Sequence, residues 1–293
     1  MANHFLFGYW EDQIKMGYQA GDETFALDQE RIPSLTWLLQ NVSANDLLST
    51  LQNACSTPLD RRLTPTLRDI FDRQPIWAAG VTYKISEEAR ERESDNSTIY
   101  TRVYHAERPE LFLKALGYNV VSSGEKVGIR ADATWSVPEP ELTIILNSQL
   151  EVFGFTIGND MSSRDIEGAN PLYLPQAKVY DRACALGPRI WLLPGVGEWP
   201  ELPIYISIER NGMLVFKGET STQRLNRTLP ALVHYLGRSQ QFPYGAALMT
   251  GTGVVPSDEF TLQEGDTVRI SVPPIGELVN PVQIVGDPRV EIL

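Results

Sequence analysis

Two glutamates one residue apart, Glu139 and Glu141, run straight into the apolar segment Leu142 to Leu146, and a second apolar segment, Val152 to Ile157, runs out at Asp160. In a strand alternate residues share a face, so both glutamates point the same way. A hairpin turning near Ser148–Gln149 sets residues of opposite parity across from each other, which brings Asp160 onto the glutamate face. Three carboxylates on one face repel, and one that is buried without a partner has to take up a proton. Two readings account for them. A hard divalent cation neutralises the cluster through oxygen ligands, with Mg²⁺ the first candidate and Mn²⁺ or Ca²⁺ the alternatives. Otherwise the segment is an edge strand whose charges keep it soluble.

The residues that follow carry a resemblance. Gly154-Phe155-Thr156-Ile157-Gly158-Asn159-Asp160-Met161-Ser162-Ser163-Arg164-Asp165, then Gln176-Ala177-Lys178 with Asp181, and later Gly251-Thr252-Gly253, are similar to motifs of the fumarylacetoacetate hydrolase superfamily. The resemblance extends over roughly residues 76 to 290. It implies a fold of class α+β, mainly β: a mixed β-sandwich roll with a small N-terminal domain. It also implies that Glu139, Glu141 and Asp160 bind a divalent metal. Arg164 corresponds to an arginine that meets substrate oxygen anions, and its planar fork suits a carboxylate; a salt bridge to Asp165 is the plainer alternative. Lys178 corresponds to a lysine beside the metal, where a neighbouring dication weakens its hold on a proton and makes it an acid or base; an ion pair to Asp181 is the alternative. Thr252 corresponds to a threonine that contacts substrate.

In Arg108-Pro109-Glu110-Leu111-Phe112-Leu113-Lys114, read as a strand, Glu110, Phe112 and Lys114 share one face. Lys114 matches a family lysine near the active site and is expected to bind substrate; a surface ion pair is the alternative. Glu110 has no motif behind it and is a candidate proton-transfer partner only. Upstream, Gly80 and Tyr83 match the family pattern, but the positions where its hydrolases carry a histidine and a glutamate are Ser86 and Ala89. In those hydrolases that pair activates the water that cleaves a carbon–carbon bond, so its replacement argues against C–C hydrolysis. The charged residues Glu87 to Glu93 read as a solvated helix face.

With 293 residues the chain accommodates a small domain joined to a larger one, and the expected boundary gives 1–72 and 73–293. A net charge of −12 argues against nucleic acid or an anionic membrane as partner. Cys55 and Cys184 have neither disulfide-framework nor zinc spacing. The N-terminal residues show no basic segment followed by a long apolar run, which makes the cytoplasm the expected location. Ser43 with Asp46 resembles a capping box before a short helix. Asn211-Gly212 signals a hairpin, and Thr222 to Arg238 reads as a helix from its apolar spacing. Residues 264–270 and 276–282 read as closing strands. His4, His105 and His234 read as structural histidines.

Within the superfamily, Glu167-Gly168-Ala169-Asn170-Pro171-Leu172-Tyr173-Leu174-Pro175-Gln176-Ala177-Lys178 and the histidine-free segment after Tyr83 resemble the 2-keto-3-deoxy-pentonate dehydratases. The resemblance implies a Mg²⁺-dependent hydro-lyase of pentose catabolism acting on a small anionic 2-oxo acid, such as 2-keto-3-deoxy-D-arabinonate going to 2,5-dioxopentanoate. Lys178 is then the base at C3, with Glu110 a candidate acid for the C4 hydroxyl. A homodimer or homotetramer is expected. The alternatives are an acylpyruvate or 2,4-diketo acid hydrolase, an oxaloacetate decarboxylase, or a noncatalytic binder of metal and oxo acid.

Overall fold

The computed structural model describes residues 3–60, 65–67, 70–84, 97–193 and 199–286. Its strands in chain order are β1 His4–Trp10, β2 Ile14–Ala20, β3 Glu23–Leu27, β4 Cys55–Pro58, β5 Pro75–Gly80, β6 Glu110–Leu116, β7 Val127–Arg130, β8 Ser136–Val137 and β9 Pro140–Leu146. They continue with β10 Val152–Asp160, β11 Ser162–Ser163, β12 Cys184–Leu192, β13 Pro203–Arg210, β14 Met213–Ser221, β15 Ala246–Met249, β16 Thr267–Val272 and β17 Gly276–Val285. Strands dominate, and the helices are short.

Ten strands form one mixed sheet in the order β4-β3-β2-β1-β12-β10-β9-β15-β5-β6, and five form a second, β14-β13-β16-β17-β7. Parallel pairing occurs at β15–β5 and at β17–β7. The sheets pack face to face, as sandwich layers do, and Leu142, Ile144, Phe155 and Ile157 from the large sheet meet Ile204, Ile206, Ile270 and Leu278 from the small one. The other face of the large sheet, with Ile145, Phe153 and Leu186, is covered by the helices Leu35–Asn41 and Leu47–Asn53. This double covering explains why β9 and β10 are buried at every position and lack the polar alternation of a one-sided sheet.

The strands of the first 58 residues extend the large sheet through the β1–β12 pairing, His4 opposite Leu192. Ser43 and Asp46 do bond each other, side chain to side chain at 2.7 Å and Asp46 N–H to Ser43 Oγ at 3.2 Å, but the helix proper starts at Leu47. Asn211 and Gly212, both at positive φ (52° and 74°), make the tight turn between β13 and β14. The helix expected over 222–238 is shorter. Thr222–Arg224 is a 3₁₀ turn, and the helix runs Leu229–Gly237 behind Thr228, whose hydroxyl accepts from Ala231 N–H. Pro230 has no N–H to give a preceding turn, so it belongs at the helix start.

Candidate functional site

The site forms where the C-terminal ends of β5, β10 and β15 meet the N-terminal ends of β6 and β9. Register places its acids. In the β9–β10 pairing Gly158 stands opposite Glu141 and Asn159 opposite Pro140, and Asp160 N–H bonds Glu139 C=O at 3.0 Å. Glu139, Glu141 and Asp160 therefore share a face, in a register reset by the bulge between Val152 and Gly154. One carboxylate oxygen from each lies within 4.8 Å of the others, and all three side chains are buried.

Two of the three are held by cations. Lys178, at the end of the helix Leu174–Lys178, reaches Glu139 at 2.8 Å and Asp160 at 3.1 Å. Arg164, first residue of the helix Arg164–Ala169, reaches the other Glu139 oxygen at 3.1 Å. Lys114 from β6 pairs with Asp160 at 2.6 Å and donates to the carbonyls of Met161 and Lys178 at 2.8 and 2.5 Å. Glu141 differs. It is 1 % exposed, and its partner is the backbone N–H of Gly251 at 2.5 Å, with no ion pair among the described residues. Burial, then the neighbouring Asp160 and Glu139 charges, push its carboxyl well above the usual range. A buried acid left uncompensated among hard oxygen donors fits a divalent cation, which removes that penalty by supplying the missing charge.

Over this cluster lies a small cavity lined by Gly80, Glu110, Phe112, Glu139, Asp160 and Lys178, with Glu167, Gly251 and Thr252 completing its wall. The Phe112 ring sits 5.8 Å from Lys178 Nζ. The Glu110 carboxylate lies against Gly80, where an added Cβ would displace it.

The sequence expectations distribute unevenly over this geometry. Lys178, Glu110 and Thr252 line the cavity together with two of the metal-ligand candidates. Lys114 and Arg164, expected to bind substrate, are 1 % and 2 % exposed and reach the carboxylates of Asp160 and Glu139. The nearest anions are internal ones, and all three ammonium protons of Lys114 go to protein oxygens. Arg164 does not pair with Asp165, which instead accepts from the N–H and hydroxyl of Thr134. Ser86, Ala89 and the glutamates between 87 and 93 lie outside the described residues. Sequence reading passed over Glu167, whose signal was its place one helical turn beyond Arg164, and over the Gly251 amide that holds Glu141.

A double-layered mixed β fold with three carboxylates at the ends of paired strands defines a class, and comparison agrees: the family model described as "Fumarylacetoacetate (FAA) hydrolase C-terminal" matches residues 76–283, and the chain belongs to that family. Particular relatives narrow it. The chain is 49 % identical over 214 residues to the "Probable 2-keto-3-deoxyxylonate dehydratase" of Haloferax volcanii, covering 73 % of this chain and 74 % of that one. To the "2-dehydro-3-deoxy-D-arabinonate dehydratase" of Saccharolobus solfataricus it is 39 % identical over 220 residues, 73 % of each. A solved 2-keto-3-deoxy-D-arabinonate dehydratase complexed with magnesium and 2,5-dioxopentanoate superposes with a TM-score of 0.78 at 31 % identity, covering 97 % of this chain and 100 % of that one.

Proposed function

We propose that the protein is a Mg²⁺-dependent dehydratase of a 2-keto-3-deoxy sugar acid, converting 2-keto-3-deoxy-D-arabinonate to 2,5-dioxopentanoate. The observation that carries the reading is the position of Lys178, whose amine touches two of three convergent carboxylates and faces the cavity. Glu139, Glu141 and Asp160 would hold the metal. A divalent cation held there would supply charge that polarises the 2-oxo carbonyl, acidifies C3–H and favours the free amine of Lys178. Lys178 removes the C3 proton. Glu110, on the cavity wall beside Gly80, protonates the departing C4 hydroxyl. Thr252 contacts the substrate from the loop after β15, while Lys114 and Arg164 fix Asp160 and Glu139 in place.

Chemistry resides in residues 73–293, and residues 1–72 serve packing and subunit contact. The enzyme works in the cytoplasm as a homodimer or homotetramer. Supporting self-association, Leu113 and Leu116 are exposed on β6, at the edge of the large sheet, and Leu172 and Tyr173 are exposed just before the helix that packs on it. No helix among the described residues is long and apolar enough to cross a membrane.

The test is turnover of 2-keto-3-deoxy-D-arabinonate with Mg²⁺ and with the metal chelated, following 2,5-dioxopentanoate and pyruvate separately. Metal-dependent 2,5-dioxopentanoate is the expected result. An inert sugar acid combined with pyruvate release from a 2,4-diketo acid replaces the dehydratase with a hydrolase.

A further inference from the structure

Removing water across C3 and C4 of a 2-keto-3-deoxypentonate gives 5-hydroxy-2-oxopent-3-enoate, which is not yet the aldehyde. To reach 2,5-dioxopentanoate a C5–H bond must break. Its electron pair forms the C4–C5 double bond, and the former C3–C4 pair moves toward the 2-oxo group. A proton then adds at C3, and the remaining C5 enol becomes the aldehyde as O5 loses a proton and C4 gains one. Protons leave C3, C5 and O5 and are returned to the departing hydroxide, C3 and C4. The sequence balances without an oxidant or a co-reactant. The roles given to Lys178 and Glu110 account for the first half.

We propose, building on the dehydratase reading, that Glu167 is the catalytic base that takes the C5 proton. Glu167 is 4 % exposed and lines the same cavity as Glu110 and Lys178. It arrives from a different element, the helix Arg164–Ala169, and its Oε2 accepts a hydrogen bond from the fully buried Ser162 hydroxyl at 2.9 Å, which orients the carboxyl. Charge selects the end of the substrate it meets. The 2-oxo acid head goes to the cation site and Lys178. A further buried carboxylate would repel that head, and is compatible only with the uncharged end that carries C4 and C5. A base within reach of the breaking C–H bond is what proton abstraction there demands.

The experiment uses the full chain with Mg²⁺, as wild type, E167Q and E167D, supplied with either the sugar acid or synthetic 5-hydroxy-2-oxopent-3-enoate. The unsaturated acid is followed by near-ultraviolet absorbance and NMR, the aldehyde by trapping. Wild type is expected to convert both compounds to 2,5-dioxopentanoate. E167Q should still release water from the sugar acid but accumulate the unsaturated acid, with aldehyde formation slowed about 10²-fold or more. E167D, which keeps the carboxylate, should recover part of the second half. Aldehyde formation by E167Q at the wild-type rate overturns the assignment, as does equal slowing of both halves, which is what a structural role gives. Should E167Q fail to fold, the same partition is read from E167D, and an unchanged ratio of unsaturated acid to aldehyde overturns the proposal. Failure of the parent reading shows separately, as a wild type that makes no 2,5-dioxopentanoate from the sugar acid.

Discussion

Gly251 ties the backbone to the metal-ligand candidate with no cation of its own, so replacing it with alanine should damage stability and metal binding together. Its φ is +93°, and a Cβ there would overlap Thr82 Oγ1 and sit 2.9 Å from the carbonyl oxygen of Ala79. Thr82 cannot simply swing away, because it is fully buried and its hydroxyl donates to Thr250 C=O at 2.7 Å. The left-handed backbone costs a non-glycine residue about 1 kcal/mol. Losing the Thr82 hydrogen bond costs about 1 kcal/mol more, and drawing the Gly251 N–H away from the Glu141 carboxylate about 2 kcal/mol. The sum, about 4 kcal/mol, corresponds to a fall in Tm of about 8 °C at about 2 °C per kcal/mol for a chain of this size. Gly212→Ala is the control: φ there is +74° but nothing lies within 4 Å of the added Cβ, so only the backbone cost of about 1 kcal/mol applies. The assay is thermal unfolding with and without Mg²⁺. G251A should lose both stability and the Mg²⁺-induced rise in Tm, whereas G212A keeps the rise. A G251A protein that melts like G212A and still gains Tm with Mg²⁺ refutes the coupling.

Glu141→Gln removes the uncompensated charge while preserving the side chain's shape, so it should abolish metal-dependent turnover and weaken Mg²⁺ binding beyond the about 10- to 100-fold typical of an outer-shell change. In chelator, E141Q should be at least as stable as wild type; marked destabilisation there would sink the idea that Glu141 awaits a cation. The raised Glu141 pKa sets a pH dependence as well. Because the folded state holds this proton more tightly than the unfolded one, the associated stability is full below about 4.5 and is lost as pH rises through the higher folded value. Denaturation in chelator should therefore show falling stability with rising pH across that window, and Mg²⁺ should flatten the trend. Lys114→Met removes the 2.6 Å partner of Asp160, which keeps Lys178 at 3.1 Å, and leaves the Met161 and Lys178 carbonyls without this donor, so it should cost about 1–3 kcal/mol in urea unfolding. A K114M enzyme of normal stability but raised KM would return Lys114 to substrate binding.

How far the sequence was legible follows from the range of the interactions involved. Beyond a bulge between Val152 and Gly154 the β9–β10 pairing sets odd numbers opposite even ones, which puts Asp160 with Glu139 and Glu141 as the parity argument expects. Next to the turn, however, Val152 stands opposite Leu146, and the bulge that resets the register was not legible. Asn211-Gly212 was legible because a two-residue turn requires local positive φ. The helix start at Leu229 was missed where apolar spacing was weighed above Pro230 and Thr228, the residues that fix a boundary. The joining of β1 to β12, His4 to Leu192, leaves no local mark, since neither strand carries a turn that names its partner.

The cations show the same division at the scale of chemistry. Lys114, Arg164 and Lys178 are recognisable from motifs as belonging near the site, but which anion each one meets depends on distances set by β6, by the helix Arg164–Ala169 and by the helix Leu174–Lys178. Burial decides it. Internal carboxylates that cannot reach water claim the nearest cations, because leaving a buried charge unpaired costs more than forgoing a contact with a transient ligand. Lys114 meets Asp160, Arg164 meets Glu139, and Lys178 meets both while also lining the cavity. On the proposed reading, Lys178, Glu110 and Glu167, which line the cavity, are the groups whose chemistry should respond to mutation, and Lys114 the one whose loss should register first as instability.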